Sequence, residues 1–431
     1  MAEVDTPDAL TIDDESGDPL RTRGAVPNTA EKQRRNDRME EIGIVGEHKP
    51  VYRDTNLQIV FGVTLMAVLG VSSITPAFPI IVDELGISPQ SVGYLITAFT
   101  LPGVLLTGFL GILADQFGRK RILVPSLLLF AIAGAACAFA RDFRPLLLLR
   151  FLQGAGAAGM GAINFTIIGD LYTGQERTAA MGCNSSVVSV GTASYPAIGG
   201  ALATLGWFYP FLLPLAAIPV AVAVYFSLDN PEPSRPQDFR EYLADVWRVI
   251  ANRRVLAMFV VGTLTFMILY GSYLAYFPLF VSGSFAVSPF TVGLVMSVSS
   301  LATGITSSQS GRLAGALSER ALIGVSCLLY VVALLAIPLI SNLWLLTIPV
   351  AIFGIGQGIN LPSLLALITG EAPMEQRGAL MAVNGMVLRL GQTLGPLVMG
   401  IAFTAAGMSA VFVSGALCAL LMLIVVLTVM R

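Results

Sequence analysis

Charged residues are scarce in this chain of 431 residues: 12% are Asp, Glu, Lys or Arg, whereas 55% are hydrophobic. Soluble domains are about 25% charged, so the chain has too few charges to cover the surfaces of several soluble domains. Histidine and cysteine are also rare. The single histidine, His48, lies in a polar region, and the four cysteines form no Cys-x-x-Cys pair. This inventory excludes a disulfide scaffold, and we expect no metal site and no cofactor.

The few charges are unevenly distributed. Residues 1–56 hold 13 acidic and 8 basic side chains, while residues 57–431 hold 14 acidic and 17 basic ones. Because residues 1–56 have few large apolar side chains and lack the apolar run of a signal peptide, we predict a disordered acidic cytoplasmic tail. We expect the remainder to lie in the lipid bilayer and not to bind nucleic acid.

Apolar runs long enough to cross a bilayer, which takes about 20 helical residues, recur through this remainder. The twelve predicted transmembrane helices have the approximate bounds 57–81, 90–113, 121–140, 145–169, 178–204, 207–228, 255–281, 289–311, 321–340, 343–369, 378–404 and 408–430. They form two predicted six-helix bundles, 57–228 and 255–431. The linker 229–254 carries apolar residues at helical spacing, which predicts an amphipathic helix on the cytoplasmic membrane surface.

Lys and Arg in the loops predict the orientation. Thirteen basic residues lie on the side of the acidic tail, and only Arg141 and Arg144 lie in loops on the opposite side. Because basic loops stay in the cytoplasm, we predict that both termini are cytoplasmic. We expect a multi-pass protein of the plasma (inner) membrane that is a monomer.

Many residue types recur at a spacing of 200 positions, which indicates a duplicated unit. Matching pairs include Ser88 and Ser288, Pro89 and Pro289, Gly93 and Gly293, Asn184 and Asn384, Gly191 and Gly391, Pro196 and Pro396, and Gly200 and Gly400. Two related bundles can rock about a shared site near the midplane and open it to one side at a time. The repeat therefore favours a transporter that works by alternating access.

A loop motif follows the second predicted helix, with Gly111, Asp115, Gly118 and Arg119 at fixed spacing and further basic residues after them. This pattern resembles the loop signature of the major facilitator superfamily, which implies an all-α fold of twelve transmembrane helices in two bundles. In that family the Asp caps a helix of the second half, and the Arg pairs with an acid after the fourth helix. The resemblance thus implies that Asp115 faces the helix start near Gly378, and that Arg119 pairs with Asp170 as a latch.

Three further motifs resemble those of the twelve-helix drug/proton antiporters. They lie at Leu69–Pro79, at Arg150–Gly156, and in the fifth predicted helix, where Gly182, Gly191, Pro196, Gly199 and Gly200 have the antiporter spacing. Tyr195 stands where that motif has glycine. Glycines and prolines in transmembrane helices serve mainly packing and kinking, so we expect these five residues to pack helices and not to touch substrate.

Ionisable residues in the membrane are costly and therefore indicate function. The carboxylates after residue 56 all lie at helix ends or in loops, and the two arginines within predicted helices are Arg150 and Arg389. A cavity with these charges favours anionic, zwitterionic or neutral cargo. An alternative is that backbone carbonyls hold each arginine. The other predicted substrate-binding residues are polar or aromatic: Gln153, Asn164, Tyr270, Tyr273, Gln357 and Asn360. Tyr276, nearer a helix end, is predicted to lie at the membrane–water interface.

The resemblance implies secondary active transport, and we predict proton-coupled efflux of small amphipathic organic molecules. The candidates for proton coupling are Asp83, Glu84 and Asp115. Uptake or exchange of an organic anion, or of a sugar-like solute, is the alternative that stays open. An intramembrane enzyme would need a buried acid pair or an activated nucleophile, and the predicted helices supply neither. A membrane sensor without transport remains a rival, distinguished by binding without flux.

Overall fold

The computed structural model describes residues 51–229, 252–371 and 377–430, and within these ranges the regular structure is entirely helical. The predicted acidic tail up to residue 50 and the predicted amphipathic helix lie outside the described residues. Val51–Arg431 forms one compact unit.

Seven α-helices make up the first half of this unit. Their bounds are Thr55–Ser72 (α1), Phe78–Glu84 (α2), Val92–Phe117 (α3), Arg119–Cys137 (α4), Phe143–Leu171 (α5), Gly174–Ala203 (α6) and Ala217–Ser227 (α7). A 3-10 turn at Thr75–Ala77 joins α1 to α2, and a 3-10 helix at Tyr209–Ala216 leads into α7. Prolines at or near the start of α2 and of these 3-10 segments explain the breaks, because proline removes a backbone donor.

The second half repeats this plan. Its helices are Arg253–Met267 (α8), Phe277–Phe285 (α9), Pro289–Ser307 (α10), Ser310–Ala316 (α11), Glu319–Ala336 (α12), Leu343–Glu371 (α13) and Arg377–Thr428 (α14). A π-helical segment, Ile268–Tyr276, joins α8 to α9. The long α14 is interrupted by non-helical backbone at Ala406 and at Gly407, whose φ of 77° suits glycine.

The described residues contain ten segments long and apolar enough to span a membrane. Helix α6 has 30 residues but is rich in Gly, Ser and Thr, and it is not among the ten. Helix α14 counts once although it is broken at Gly407. Counting α6 and dividing α14 at its break is consistent with the twelve predicted helices.

The repeat of 200 residues is visible in the packing. In the first half, Gly154 of α5 lies against the backbone of Phe99 in α3, so closely that a Cβ would overlap it. In the second half, Gly354 of α13 meets the backbone of Ser299 in α10 in the same way. Each half also has its own large cluster of buried apolar side chains. Small residues thus bring equivalent helix pairs together in both halves. In a membrane the hydrophobic effect does not drive helices together, because lipid is as apolar as the helix surface, and close packing takes its place.

Candidate functional site

An ion pair joins the start of α4 to the end of α5. The Arg119 guanidinium lies against the Asp170 carboxylate and 3.4 Å from Asp115 Oδ1, and its side chain is only 5% exposed. Gly118 connects α3 to α4 with a φ of 95°, a left-handed conformation that strains other residues. The structure thus places Arg119 against Asp170, the pair that the resemblance implies, and adds a contact with Asp115 that was not predicted.

The predicted second partner of Asp115, the helix start near Gly378, lies outside the described side chains. The equivalent loop of the second half has no such arrangement. Gly315 stands at the position of Asp115, and a Cβ there or at Gly311 would meet no described atom within 4 Å. Ser318 instead caps α12 by accepting a hydrogen bond from the Ala321 amide. Only the first half therefore carries the ion-paired loop.

The two halves touch closely at one end, which we call the Pro89 end because α3 and α10 begin there, near Pro89 and Pro289. The Pro196 carbonyl of α6 occupies the position of a Cβ on Gly293, and Gly200 meets the Pro289 carbonyl likewise. The same contact recurs between α3 and α14, where a Cβ on Gly93 would lie 3.0 Å from the Pro396 carbonyl oxygen. Backbone-to-backbone contacts thus close this end.

Tyr276 takes part in this closure. Its side chain is fully buried, donates a 3.3 Å hydrogen bond to the Gln90 carbonyl of the other half and stacks on Phe403. The prediction of a membrane-interface position for Tyr276 is therefore wrong. The prediction considered only how far Tyr276 lies along its helix. Tyr276 is on the side of the helix that faces the other half, and this determines its surroundings.

At the opposite end, which we call the Arg119 end, α6 and α10 diverge, whereas a Cβ on Gly108 of α3 would still lie 3.5 Å from the Met386 sulfur of α14. A Cβ added to Gly182 of α6 or to Gly311 of α10 would have no described atom within 4 Å, and the same holds for Gly111 and Gly385. Gly304 still lies near Ser189, 3.5 Å between Cβ positions, so the separation begins beyond that point. The polar side chains that follow on α6 and α10, such as those of Ser185 and Gln309, are exposed.

The antiporter-motif residues of α6 divide accordingly. Pro196 and Gly200 contact the other half, while Gly199 meets the Ser73 carbonyl and Gly191 the Leu65 side chain within its own half. These four pack helices, as expected. Gly182 has no described neighbour within 4 Å, so the prediction of a packing contact there is wrong for this conformation. It lies at the end where the halves separate.

Arg150 does not line a cavity. Its side chain is fully buried in the first half, where it donates to the carbonyls of Gly70 and Leu95 and to Gln153 Oε1 at 2.9, 3.3 and 2.7 Å. Its guanidinium also lies 4.4 Å from the centre of the Phe99 ring. The contacts correspond to the alternative in which backbone carbonyls hold the arginine. Substrate binding by Arg150 and Gln153 is therefore corrected to a contact between α1, α3 and α5.

Two of the predicted polar residues bind to partners inside the bundles. Asn164 donates a 2.7 Å hydrogen bond to Thr64, and Asn360 donates a 2.8 Å bond to Ser326. Asn360 is fully buried and also accepts from Thr265. Buried polar groups in a membrane protein satisfy one another because lipid offers no partner. Cargo binding by Asn164 and Asn360 is therefore corrected to bundle cohesion.

Tyr273 and Gln357 are also enclosed, in the core of the second half. Tyr273 donates to the Met296 carbonyl at 3.0 Å and its ring stacks on that of Phe353. Gln357 accepts a hydrogen bond from the Tyr330 hydroxyl. Neither side chain is open to a ligand in this conformation, so their predicted cargo contacts are corrected in the same way.

Arg389 has different surroundings. It extends from α14 towards the first half, where its guanidinium and Cδ fill the space beside Gly103 of α3 and Gly161 of α5. The side chain is partly exposed, and within the described part of the chain it has no hydrogen bond and no ion pair. The π-helical segment that carries Tyr270 packs against α14 and α3, the helices that carry Arg389 and Gly103. Of the predicted substrate-binding residues, Arg389 and Tyr270 are the two that are partly exposed and whose side chains have no hydrogen bond within the described residues.

Three threonines next to Arg389 were not predicted. Thr393, one turn further along α14, bonds the Thr100 hydroxyl at 2.9 Å, and its carbonyl accepts from Thr97 at 3.1 Å. These bonds tie α14 to α3 just on the Pro89 side of Arg389. The spacing of Thr97 and Thr100 by three residues on one helical face is the sequence signal that could have shown them.

The candidates for proton coupling occupy two settings. Asp83 and Glu84 are exposed at the Pro89 end, at the close of α2. Asp115 is beside the Arg119 ion pair. The Asp115 side chain is itself 39% exposed, so its contact with Arg119 is what distinguishes it from Asp83 and Glu84.

A second contact fixes the Arg119 end of the first half. The Tyr172 hydroxyl donates a 2.6 Å hydrogen bond to Asp54, which caps α1. Burial, with the bonded Asp54 carboxylate, raises the pKa of Tyr172 well above its usual value, so the hydroxyl stays protonated and remains a donor.

The family model of the Major Facilitator Superfamily matches residues 60–285 and 273–431. A bacillibactin exporter of Bacillus subtilis is 28% identical over 389 residues, covering 86% of this chain and 95% of the exporter. Multidrug resistance protein 2 of the same organism is 27% identical, covering 78% and 86%. Among solved structures, a bacterial homolog to the human lysosomal transporter Spinster, inward-facing and unoccupied, matches with a TM-score of 0.72 at 19% identity, covering 89% and 96%.

Proposed function

Since the chain belongs to the major facilitator superfamily, we propose that it exports small amphipathic organic molecules by alternating access, driven by a proton gradient. The family and the relatives are transporters, so the chain is a multi-pass membrane transporter and not an enzyme. Its relatives include a multidrug resistance protein and a bacillibactin exporter, and this supports efflux as the direction.

The observation that carries the proposal is the unequal contact between the halves. Backbone contacts at Gly293 and Gly93 close the Pro89 end, while Gly182 and Gly311 stand apart at the Arg119 end. Because equivalent residues of the two repeats make the closing contacts, a rocking motion can exchange the closed end for the open one. Such an exchange is what alternating access requires.

Sidedness follows from the loop charges. Basic residues concentrate at the Arg119 end, so we assign that end to the cytoplasm. The conformation described here then faces the cytoplasm and is open to cargo from inside the cell. The bacterial relatives imply a plasma-membrane location. We propose that both termini are cytoplasmic and that the monomer transports on its own.

The ion pair at the Arg119 end supplies a coupling device. Arg119 has an acidic neighbour at the end of α3, Asp115, and a partner on α5, Asp170. Protonation of Asp115 would leave Arg119 to Asp170 alone and change the charge that faces the second half. We therefore assign coupling to this cluster, with the proton on Asp115.

The experiment locks the closed end. A Cβ on Gly93 lies 3.3 Å from Pro396 Cβ, near the 3.5–4.5 Å of a disulfide. Gly93→Cys with Pro396→Cys is made in a chain whose four free cysteines are replaced by Ala. In proteoliposomes with a pH gradient, oxidation should stop the efflux of dyes and a reductant should restore it.

The single-cysteine variants serve as matched controls, because oxidation should leave their transport unchanged. Full efflux from protein that is quantitatively cross-linked would refute alternating access. Efflux that ignores the pH gradient would refute proton coupling alone.

Uptake or exchange of an organic anion is a second candidate, and the unpaired Arg389 favours it. The two candidates differ in direction, which inside-out and right-side-out vesicles measure separately. Accumulation of an organic anion by right-side-out vesicles, with no efflux activity, would select uptake.

A further inference from the structure

We propose that Arg389 and the Phe266–Tyr270 aromatic pair form a binding site for an aromatic organic anion, with the carboxylate on the guanidinium and the ring on the tyrosine. The inference rests on the proposed transport function and names the class of its cargo. It draws on the position of Arg389, its lack of a partner, and the groups around it.

Arg389 lies where four helical segments meet. Its Nη1 would be 2.5 Å from a Cβ on Gly103, and its Nη2 fills the space beside Gly161, so both positions need glycine for the side chain to pass. The π-helical segment that carries Tyr270 packs against both α14 and α3. The guanidinium therefore lies between the two halves, beside Gly103 and Gly161 of the first half.

Arg150 and Arg119 are buried and have bonding partners, whereas the partly exposed Arg389 side chain has none within the described part of the chain. Arg150 has three hydrogen bonds and an aromatic ring, and Arg119 has two acidic neighbours. The Arg389 guanidinium has no hydrogen bond or ion pair among the residues the structure describes, although the Arg389 carbonyl accepts a bond from Thr393. Burying a cation within a membrane costs free energy, so its presence there indicates a function. The guanidinium presents a fork of N–H donors in one plane. A carboxylate can bind these unpaired donors through two parallel hydrogen bonds.

The aromatic pair provides a surface on which the ring of the ligand can stack. The rings of Phe266 and Tyr270 stack at a centroid distance of 6.0 Å and an interplanar angle of 27°. Both side chains are partly exposed, and the Tyr270 hydroxyl has no hydrogen bond within the described part of the chain. An aromatic ring placed against them adds stacking to the ion pair. The site thus selects a planar ring that carries a carboxylate.

The test uses three probes that share one ring: 1-naphthoate, 1-naphthylmethylammonium and 1-naphthalenemethanol. Binding to the purified full chain in lipid nanodiscs is measured by calorimetry. The wild type should bind naphthoate at least tenfold tighter than the alcohol and the ammonium compound. Arg389→Ala should abolish this preference, while Arg389→Lys should retain part of it because the charge remains without the fork. Tyr270→Leu should weaken naphthoate and the alcohol alike.

Arg141→Ala is the matched control, since this arginine bonds the carbonyls of Ala138 and Ala140 in a loop outside the site. It should bind all three probes as the wild type does. Gly103→Ala leaves the charge in place but obstructs the guanidinium, and it too should lose the naphthoate preference. The thermal unfolding midpoint of each variant identifies those that fail to fold.

A naphthoate preference that survives in folded Arg389→Ala, or equal binding of the three probes by the wild type, would overturn the inference. Flux assays separate this outcome from failure of the transport proposal. Arg389-dependent binding of naphthoate without any flux would support the site and refute transport. Efflux of cationic dyes with no binding of naphthoate would support transport and overturn the site.

Discussion

Gly293 offers a direct test of the closure at the Pro89 end. The Pro196 carbonyl occupies the position that a Cβ on Gly293 would take, and a backbone carbonyl cannot rotate away as a side chain can. Gly293→Ala should therefore push α10 from α6 and destabilise the state in which this end is closed. Overpacking of this kind costs about 1–3 kcal/mol.

That cost translates into a change of populations. We take the state open at the Arg119 end to be about 10 times as populated as the opposite state. Destabilising it by about 2 kcal/mol lowers this population ratio to about 0.3. The fraction open at the Arg119 end then falls from about nine-tenths to about one-quarter. A cysteine at exposed Gly182, in a chain without the native cysteines, reports this fraction through its rate of labelling by an impermeant maleimide.

Gly304→Ala is the matched control on the same helix. Its Cβ would meet Ser189 Cβ at 3.5 Å, an ordinary contact, and the substitution brings the same gain in helix propensity. Labelling at Gly182→Cys should keep the wild-type rate in this control and slow about 3.6-fold in Gly293→Ala. An unchanged rate in Gly293→Ala, or the same decrease in both variants, would refute the reasoning.

Two further predictions concern the buried arginines. Asp170→Asn should weaken the ion pair with Arg119 and lower pH-driven efflux, while Lys120→Ala, next in sequence to Arg119, should leave efflux unchanged; equal rates in all three proteins would contradict the latch. Arg150→Ala should lower the unfolding free energy by about 1–3 kcal/mol for each buried carbonyl that loses its donor, namely those of Gly70 and Leu95. Thermal unfolding in nanodiscs measures this loss, and an unfolding midpoint equal to that of Arg141→Ala would contradict it.

The sequence predicts the architecture well because membrane crossing imposes long apolar runs and the duplication repeats the packing residues. Helix α6 is the weakest segment by composition, yet the repeat predicts it, since Pro196 and Gly200 match Pro396 and Gly400. The ion pair between Arg119 and Asp170 was implied only by the resemblance of the loop motif to that of the major facilitator superfamily, since the motif itself does not contain Asp170.

The cargo site could be predicted only in part. Arg150 and Arg389 look alike in sequence, since each is a lone cation in an apolar helix. Their surroundings differ because Arg150 points into its own bundle, where the Gly70 carbonyl approaches, whereas Arg389 points across the interface towards Gly103. When a helix is buried on both sides, hydrophobic periodicity cannot tell the side that faces its own bundle from the side that faces the other half. The prediction for Asn360 is wrong for the same reason.

The central claim is that the two halves exchange closure at one end for closure at the other. Spin labels at Gly182 and Gly311 report the Arg119 end, and labels at Leu205 of the first half and Phe285 of the second report the Pro89 end. Distances measured by electron–electron resonance, with and without a pH gradient and cargo, test the claim directly. The account predicts opposite changes, with one distance shortening as the other lengthens. Two distances that stay fixed, or that lengthen together, in protein that transports cargo would contradict it.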